Sequence, residues 1–193
     1  MVTKHLDIGC GTNPRNPFLQ DELYGVDIQP LDSSKLEFNY VESDVILEKL
    51  PFEDSLFDSI SCYDFLEHVP RVIEKDSKIH FPFIDLMNEI HRVLKPKGIL
   101  YALTPGYPNK AAFVDPTHVN FITSKTHKYF TEPKLRAKMY GFIGRFKNLE
   151  RVRWVKVTIE LEKNPIKKLF KSIMYFFLYK KRSHLLWKLE CIK

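Results

Sequence analysis

His5-Leu6-Asp7-Ile8-Gly9-Cys10-Gly11-Thr12 is a short apolar strand that runs into a turn with two glycines, and Tyr24-Gly25-Val26-Asp27 follows as a second strand ending in a carboxylate. A strand, a turn stripped of side chains and an acid at the tip of the next strand make a nucleoside pocket. Glycine has no Cβ and tolerates positive φ, so backbone N–H groups there can approach a ligand closely. The acid can accept both hydroxyls of a ribose. A dinucleotide fingerprint needs a third glycine, which lets a helix pack on the strand; here that position is Pro14. Asp7 stands two residues before the first glycine, where a negative charge opposes a pyrophosphate and suits a cationic ligand.

Outward from this segment the chain keeps an α/β rhythm. Pro14 and Pro17 make the first crossover helix short or absent. Strands are expected at 23–28 and 36–40, the latter followed by Glu42-Ser43-Asp44-Val45. A Leu-Pro-Phe loop at 50–52 leads into a fourth strand ending near Tyr63, and a helix or turn starts at 64–69 with Leu66-Glu67-His68-Val69. Residues 70–82 read as a charged connecting insertion. Ile84, Met87, Ile90, Val93 and Leu94 share one stripe of a helix at 83–94, ended by Lys95-Pro96-Lys97-Gly98. A fifth strand follows at 99–104, then a long loop at 105–127, a short helix at 134–140, a sixth strand at 149–161 and a seventh at 185–192. Strands alternating with crossovers imply a parallel, doubly wound sheet.

Composition sets further bounds. At 193 residues and 44% hydrophobic content, one domain with a sizeable core is expected. Cys10, Cys62 and Cys191 are far apart and give neither a disulfide nor a metal framework, which fits a reducing compartment. No signal segment and no spanning stretch is evident, so a cytoplasmic location is expected. The net charge of +6 permits an anionic partner without identifying one.

Asp7-x-Gly9-x-Gly11, the Leu-Pro-Phe and Phe-Asp entry to the fourth strand, and Arg92-Val93-Leu94-Lys95-Pro96-x-Gly98 resemble the class I S-adenosylmethionine-dependent methyltransferases, type 11-like. Lys97 stands where that family often has glycine. The Asp115-Pro116-Thr117-His118-Val119-Asn120 run resembles a segment of members from bacterial surface-polysaccharide clusters. The resemblance covers nearly the whole chain, least firmly at 163–184. It implies one α/β domain over 1–193 with a Rossmann-like, seven-stranded, mostly parallel sheet, an antiparallel last strand and three α/β/α layers. It also implies S-adenosyl-L-methionine as cofactor. In that pattern Asp7, Gly9, Cys10 and Gly11 hold the methionine part, Asp27 takes the ribose hydroxyls, and Ile28 packs against the adenine. Asp44 accepts from the adenine amino group, with the Val45 N–H nearby, or caps a turn. Tyr63 contacts the methionine part or belongs to the core.

Methyl transfer needs alignment above all, and a base only when the acceptor loses a proton. Two histidines lie on strand-end segments: His118 as an acceptor-side base, and His68 as a second candidate or a structural residue at a helix start. Position 63–66 reads Tyr-Asp-Phe-Leu, without the proline clamp of nucleobase amino-methylases, and Cys62 lacks the preceding proline of a cytosine C5 nucleophile. A non-nucleic-acid acceptor is therefore preferred, and the leading reading is methyl transfer to oxygen of a small molecule or glycan. An RNA- or DNA-modifying methyltransferase, a catalytically silent binding partner and a nicotinamide-binding module are the other readings. The basic amphipathic insertion at 163–184 can roof the site, pack on the sheet, form a dimer face or touch an anionic membrane.

Overall fold

The first and fourth strands alternate, and the alternation gives the sheet two unlike faces. Leu6, Ile8, Ile60 and Cys62 are buried in the main core, while His5, Asp7, Ser59 and Ser61 are buried between them on the opposite face. The computed structural model describes residues 2–75, 77–162, 164–176 and 182–193. Its strands are β1 (Lys4–Ile8), β2 (Glu22–Asp27), β3 (Asn39–Glu42), β4 (Phe57–Tyr63), β5 (Ile73–Lys75), β6 (Lys78–His80), β7 (Leu94–Pro105), β8 (Phe146–Asn148), β9 (Arg153–Val155) and β10 (His184–Cys191). The helices are α1 (Pro82–Val93), α2 (Ala111–Val114), α3 (Val157–Glu160) and α4 (Pro165–Phe176).

The large sheet runs β3-β2-β1-β4-β7-β10-β8, with β9 also paired to β10. The first five strands are mutually parallel, and β10 is antiparallel to β7, β8 and β9. The antiparallel last strand therefore stands as expected. Because β8 and β9 pair with successive parts of β10, the sheet is seven positions wide with eight strands.

Helix α1 closes one face by burying Leu86, Met87, Ile90 and Val93 against the main core. The other face has no long crossover helix between β1 and β2, as the two prolines require. Phe18 from that crossover and Val157 of α3 cover Tyr63, Tyr101, Leu103, Val155 and Leu186 there.

Several boundaries differ from expectation. The third strand lies at Asn39–Glu42 rather than 36–40, because its register with β2 pairs Tyr24 with Asn39 and Asp27 with Glu42. The single sixth strand expected at 149–161 is broken into β9 and α3, with β8 ahead of it. Asn148 faces Leu189 and Arg153 faces Leu186, so four edge residues, 149–152, stand opposite two on β10. Residues 70–82 contain the β5–β6 hairpin, and the helix expected at 134–140 is a 3-10 turn at Arg136–Tyr140. Of the insertion at 163–184, residues 163 and 177–181 lie outside the described residues. Helix α4 does not pack its apolar stripe on the sheet: Ile166, Leu169, Phe170 and Ile173 are exposed. It is tied to α3 and its flank by Lys168 to Glu160 and Lys171 to Glu162.

Candidate active site

Strand β1 ends at Ile8, and the chain turns through Gly9 (φ 70°) and Gly11 (φ 51°). The Gly9 and Cys10 N–H groups donate to the Val26 carbonyl at 2.9 and 3.3 Å, which ties the turn to β2. The Phe65 ring, from the segment after β4, lies against Gly9; a Cβ there would come within 3.2 Å of its Cε2 and Cγ. Around Gly11 the corresponding space is open, so φ alone selects glycine. The Gly11 N–H donates to Asp27 Oδ2 at 2.8 Å and the Gln29 N–H to Oδ1 at 3.1 Å. Those bonds fix the carboxylate at the tip of β2 and leave lone pairs on both oxygens. Ile28, beside it, is 63% exposed.

The remaining sequence candidates sit as follows. Cys10 is buried, its thiol donates to the Gly11 carbonyl, and burial pushes it up to about 12, so only its backbone faces the turn. Asp44 Oδ1 accepts from the N–H groups of Ile46 and Leu47 at 3.0 and 3.3 Å, the turn-capping alternative. Val45 is half-buried against the main core. The Tyr63 side chain is core: it packs on Tyr101 at 5.5 Å between ring centroids, and the Arg15 guanidinium lies 4.4 Å from its ring. Ser43 Oγ, next to Asp44, is buried without a hydrogen-bond partner.

Asp7 carries the main electrostatic feature. It is 1% exposed, and its oxygens are held by neutral donors: Ser61 Oγ on Oδ1 and the Arg15 N–H on Oδ2 at 2.8 Å. Behind Ser61 stands buried His5, between Ser59 Oγ (2.7 Å) and Ser61 Oγ (2.8 Å). With the Ser61 hydroxyl committed to Asp7, His5 donates from Nε2 and accepts on Nδ1. Burial holds His5 down at about 4, so it stays neutral. Burial pushes the Asp7 carboxyl up to about 6, against the opposing effects of Ser61, the Arg15 N–H and the charge of the Arg15 guanidinium. A desolvated carboxylate held by dipoles gains most from a cation placed next to it. Sequence reasoning passed over His5, Ser59 and Ser61; the polar i, i+2 alternation inside two apolar strands was the available signal.

The second half of the site is built on Glu67. The loop after β7 returns over the strand tips: the Val119 and Asn120 N–H groups both donate to the Glu67 carbonyl, at 2.8 and 3.0 Å. This carries His118 to Glu67 and His68. The Glu67 side chain is 1% exposed; Oε2 accepts from Thr104 Oγ1 at 2.9 Å, and Oε1 has no hydrogen-bond partner. Burial pushes this carboxyl up to about 7. His118 Nε2 lies 3.9 Å from Glu67 Oε1, and its Nδ1 faces the Ala112 carbonyl at 3.4 Å. The two imidazoles meet edge to face at 4.7 Å. His68 Nδ1 contacts Thr117 Oγ1 at 2.9 Å, and that hydroxyl reaches Asp115 Oδ1 at 2.7 Å. A cleft of about 780 Å³ opens beside the group, lined by Asp64, Glu67, Pro105, Asn109, Asp115 and His118 among others. Asp64 is itself paired with His184 Nε2 at 2.8 Å. A separate cavity of about 470 Å³, lined by Phe81, Phe83, Phe121 and Tyr129, is aromatic and lacks such a group. Glu67 was the functional candidate missing from the sequence reading, although a carboxylate between Leu66 and Val69 in an apolar run demands a partner.

The parallel sheet of this order with an antiparallel last strand, the glycine turn after β1 and the acid at the tip of β2 match the class I methyltransferase fold. A family model described as a methyltransferase domain matches residues 6–102, and the chain belongs to that family. No curated protein matches it. Among solved structures it is similar to an S-adenosylmethionine-dependent methyltransferase from Archaeoglobus fulgidus, at 19% identity and a TM-score of 0.55 over 97% of this chain and 86% of that one. It is also similar to the [4+2]-cyclase SpnF, at 16% identity and a TM-score of 0.59 over 98% and 74%. The protein is an enzyme of the methyltransferase class with S-adenosylmethionine as cofactor, and the buried Asp7 carboxylate, desolvated despite its two hydrogen bonds, fits that cofactor's cationic head.

Proposed function

We propose that the enzyme methylates an oxygen of a small molecule or glycan bound in the cleft beside Glu67. The observation that carries this reading is the Glu67–His68–His118 group, which stands at the strand tips where ligands of open α/β sheets bind. Bound S-adenosylmethionine would supply an activated methyl group on sulfonium, and an acceptor hydroxyl that takes it would give up its proton to water in the cleft. Asp7 and the Gly9–Gly11 turn orient the methionine end, Asp27 the ribose, and Ile28, Asp44 and Val45 the adenine. Tyr63 contributes its backbone. His68 and His118 handle the acceptor side, where Phe65 links the halves by lying over Gly9 two residues before Glu67. Nucleic acid is the weaker reading, because the segment after β4 reads Tyr63-Asp64-Phe65-Leu66 and lacks the proline clamp of nucleobase amino-methylases. The exposed apolar side of α4 beside Lys167, Lys168 and Lys171 supports peripheral contact with an anionic membrane in the cytoplasm, which suits a lipid-linked glycan.

Production of S-adenosylhomocysteine with a panel of sugars, glycolipids and phenols tests the reading. Turnover confined to nitrogen or carbon acceptors would sink it. Asp27→Asn removes the charged acceptor at the β2 tip, and hydrogen bonds to a charged group are worth about 1.5–3 kcal/mol. Calorimetry should therefore show S-adenosylhomocysteine binding about 10- to 100-fold weaker, with the melting temperature nearly unchanged.

A further inference from the structure

Glu67, His68 and His118 each present one ligand atom, and these atoms lie within 4.8 Å of one another. Three independent details point to a cation. First, Glu67 Oε1 is buried without a donor while its partner oxygen is fixed by Thr104. Second, His118 Nδ1 lies 3.4 Å from the Ala112 carbonyl, and in the tautomer that donates there the Nε2 lone pair faces that same Oε1. The two atoms stand 3.9 Å apart with no hydrogen bond between them. That gap is too long for a hydrogen bond; two ligand atoms about 2.1 Å from a tetrahedral ion stand about 3.4 Å apart, so a closure of about 0.5 Å brings the pair to metal-binding distance. Third, the Thr117 hydroxyl donates to Asp115 and so accepts from His68 Nδ1–H. The tautomer this fixes leaves His68 Nε2 free as a ligand, and a hydrogen-bonded ring nitrogen behind a metal-ligating imidazole is the usual supporting arrangement. The same geometry speaks against His118 as a free base, since both its nitrogens face protein acceptors.

We propose that Glu67, His68 and His118 bind a divalent transition metal ion whose open coordination positions face the cleft and take the acceptor's hydroxyl oxygens. This deepens the O-methyltransferase reading and rests on it for the role of the ion. Two imidazoles and one carboxylate suit manganese, iron, cobalt or zinc and leave positions for water or substrate. A coordinated hydroxyl loses its proton to water more readily. The resulting oxyanion forms the bond to the methyl carbon as the C–S bond breaks. The acceptor class this selects is one with two neighbouring oxygens, a vicinal diol or catechol. Glu67 and His68 are neighbours in sequence, but His118 comes from a loop about fifty residues later, which hides the site from a spacing motif.

The test uses chelator-stripped full-length protein titrated with Mn²⁺ and with Co²⁺, followed by calorimetry and by the Co²⁺ visible spectrum. One equivalent should bind in the micromolar range. Glu67→Gln and His118→Ala should each weaken binding at least 100-fold, and Thr117→Val, which touches only the support, about 10-fold. S-adenosylhomocysteine binding, measured on the same samples, should be unchanged and shows that each variant is folded. No binding below about millimolar metal, or binding that both ligand variants retain, overturns the proposal. Specific metal binding with turnover only on nitrogen acceptors would leave the site standing and remove the oxygen reading instead.

Discussion

Asp7→Asn should stabilise the cofactor-free protein while weakening its hold on S-adenosylmethionine. The carboxyl titrates at about 6 in the fold and near 3.8 when unfolded. A raised value means that the folded state binds more protons between those two points, so stability falls as pH rises through that window. At about 1.4 kcal/mol per pH unit the loss reaches about 3 kcal/mol once the pH is above 6. Asparagine carries no charge and keeps the contacts: its oxygen accepts from the Arg15 N–H and its amide donates to Ser61, whose hydroxyl can turn to His5. At pH 7.5 the variant should gain about 1–3 kcal/mol, worth roughly 2–4 °C per kcal/mol in a chain of this size. The variant's advantage over the parent should grow as pH rises from about 4 to about 6, the window in which Asp7 alone distinguishes the two curves. Cofactor affinity should move the opposite way. In the parent it should rise as pH climbs through about 6, because a cation binds the ionised form. In the variant it should be about 10- to 100-fold weaker and insensitive to that titration. Melting curves and calorimetry across pH decide the matter: a variant that is less stable and binds as well as the parent would show that Asp7 is structural.

The parts of this protein that were readable in its sequence are those with local causes. The β1 turn is set by two glycines and the helix-free crossover by two prolines. Helix α1 shows in its apolar spacing and the β2 tip in a carboxylate closing an apolar run. The parts that were not readable depend on partners remote in sequence. The stretch 149–161 alternates like one strand, but β10 offers only Trp187 and Lys188 opposite residues 149–152, so the edge must bulge. Glu150 then takes up Lys188 at 3.0 Å, and α3 starts where pairing with β10 ends. The polar face of β1 and β4 likewise becomes a network only when the two strands align His5 with Ser59 and Asp7 with Ser61. On the acceptor side, local reading found the two histidines but not the buried acid beside them. A Glu-His pair in a short turn says nothing of a loop that returns some fifty residues later.

Gly9→Ala should be the most damaging single-methyl change in the site, and its contrast with Gly11→Ala separates two causes. Both positions have positive φ, which costs an alanine about 1–2 kcal/mol. At Gly9 the methyl also runs into the Phe65 ring, which is packed against the main core and cannot swing away freely. Overpacking of that kind adds about 1–3 kcal/mol, so Gly9→Ala should lose about 2–5 kcal/mol in urea unfolding. Gly11→Ala should lose only the backbone share, since nothing lies near its new methyl. Shortening the neighbour tests the cause: Phe65→Leu should cost less in the Gly9→Ala background than in the parent, with a coupling of about 1–2 kcal/mol. Cofactor binding should nevertheless fail in all three glycine variants. In Gly9→Ala the turn must shift its N–H groups, and the double variant keeps the strained φ. In Gly11→Ala the methyl stands beside the N–H that fixes Asp27. Equal stability losses at the two glycines, or zero coupling to Phe65, would show that the ring does not police this turn.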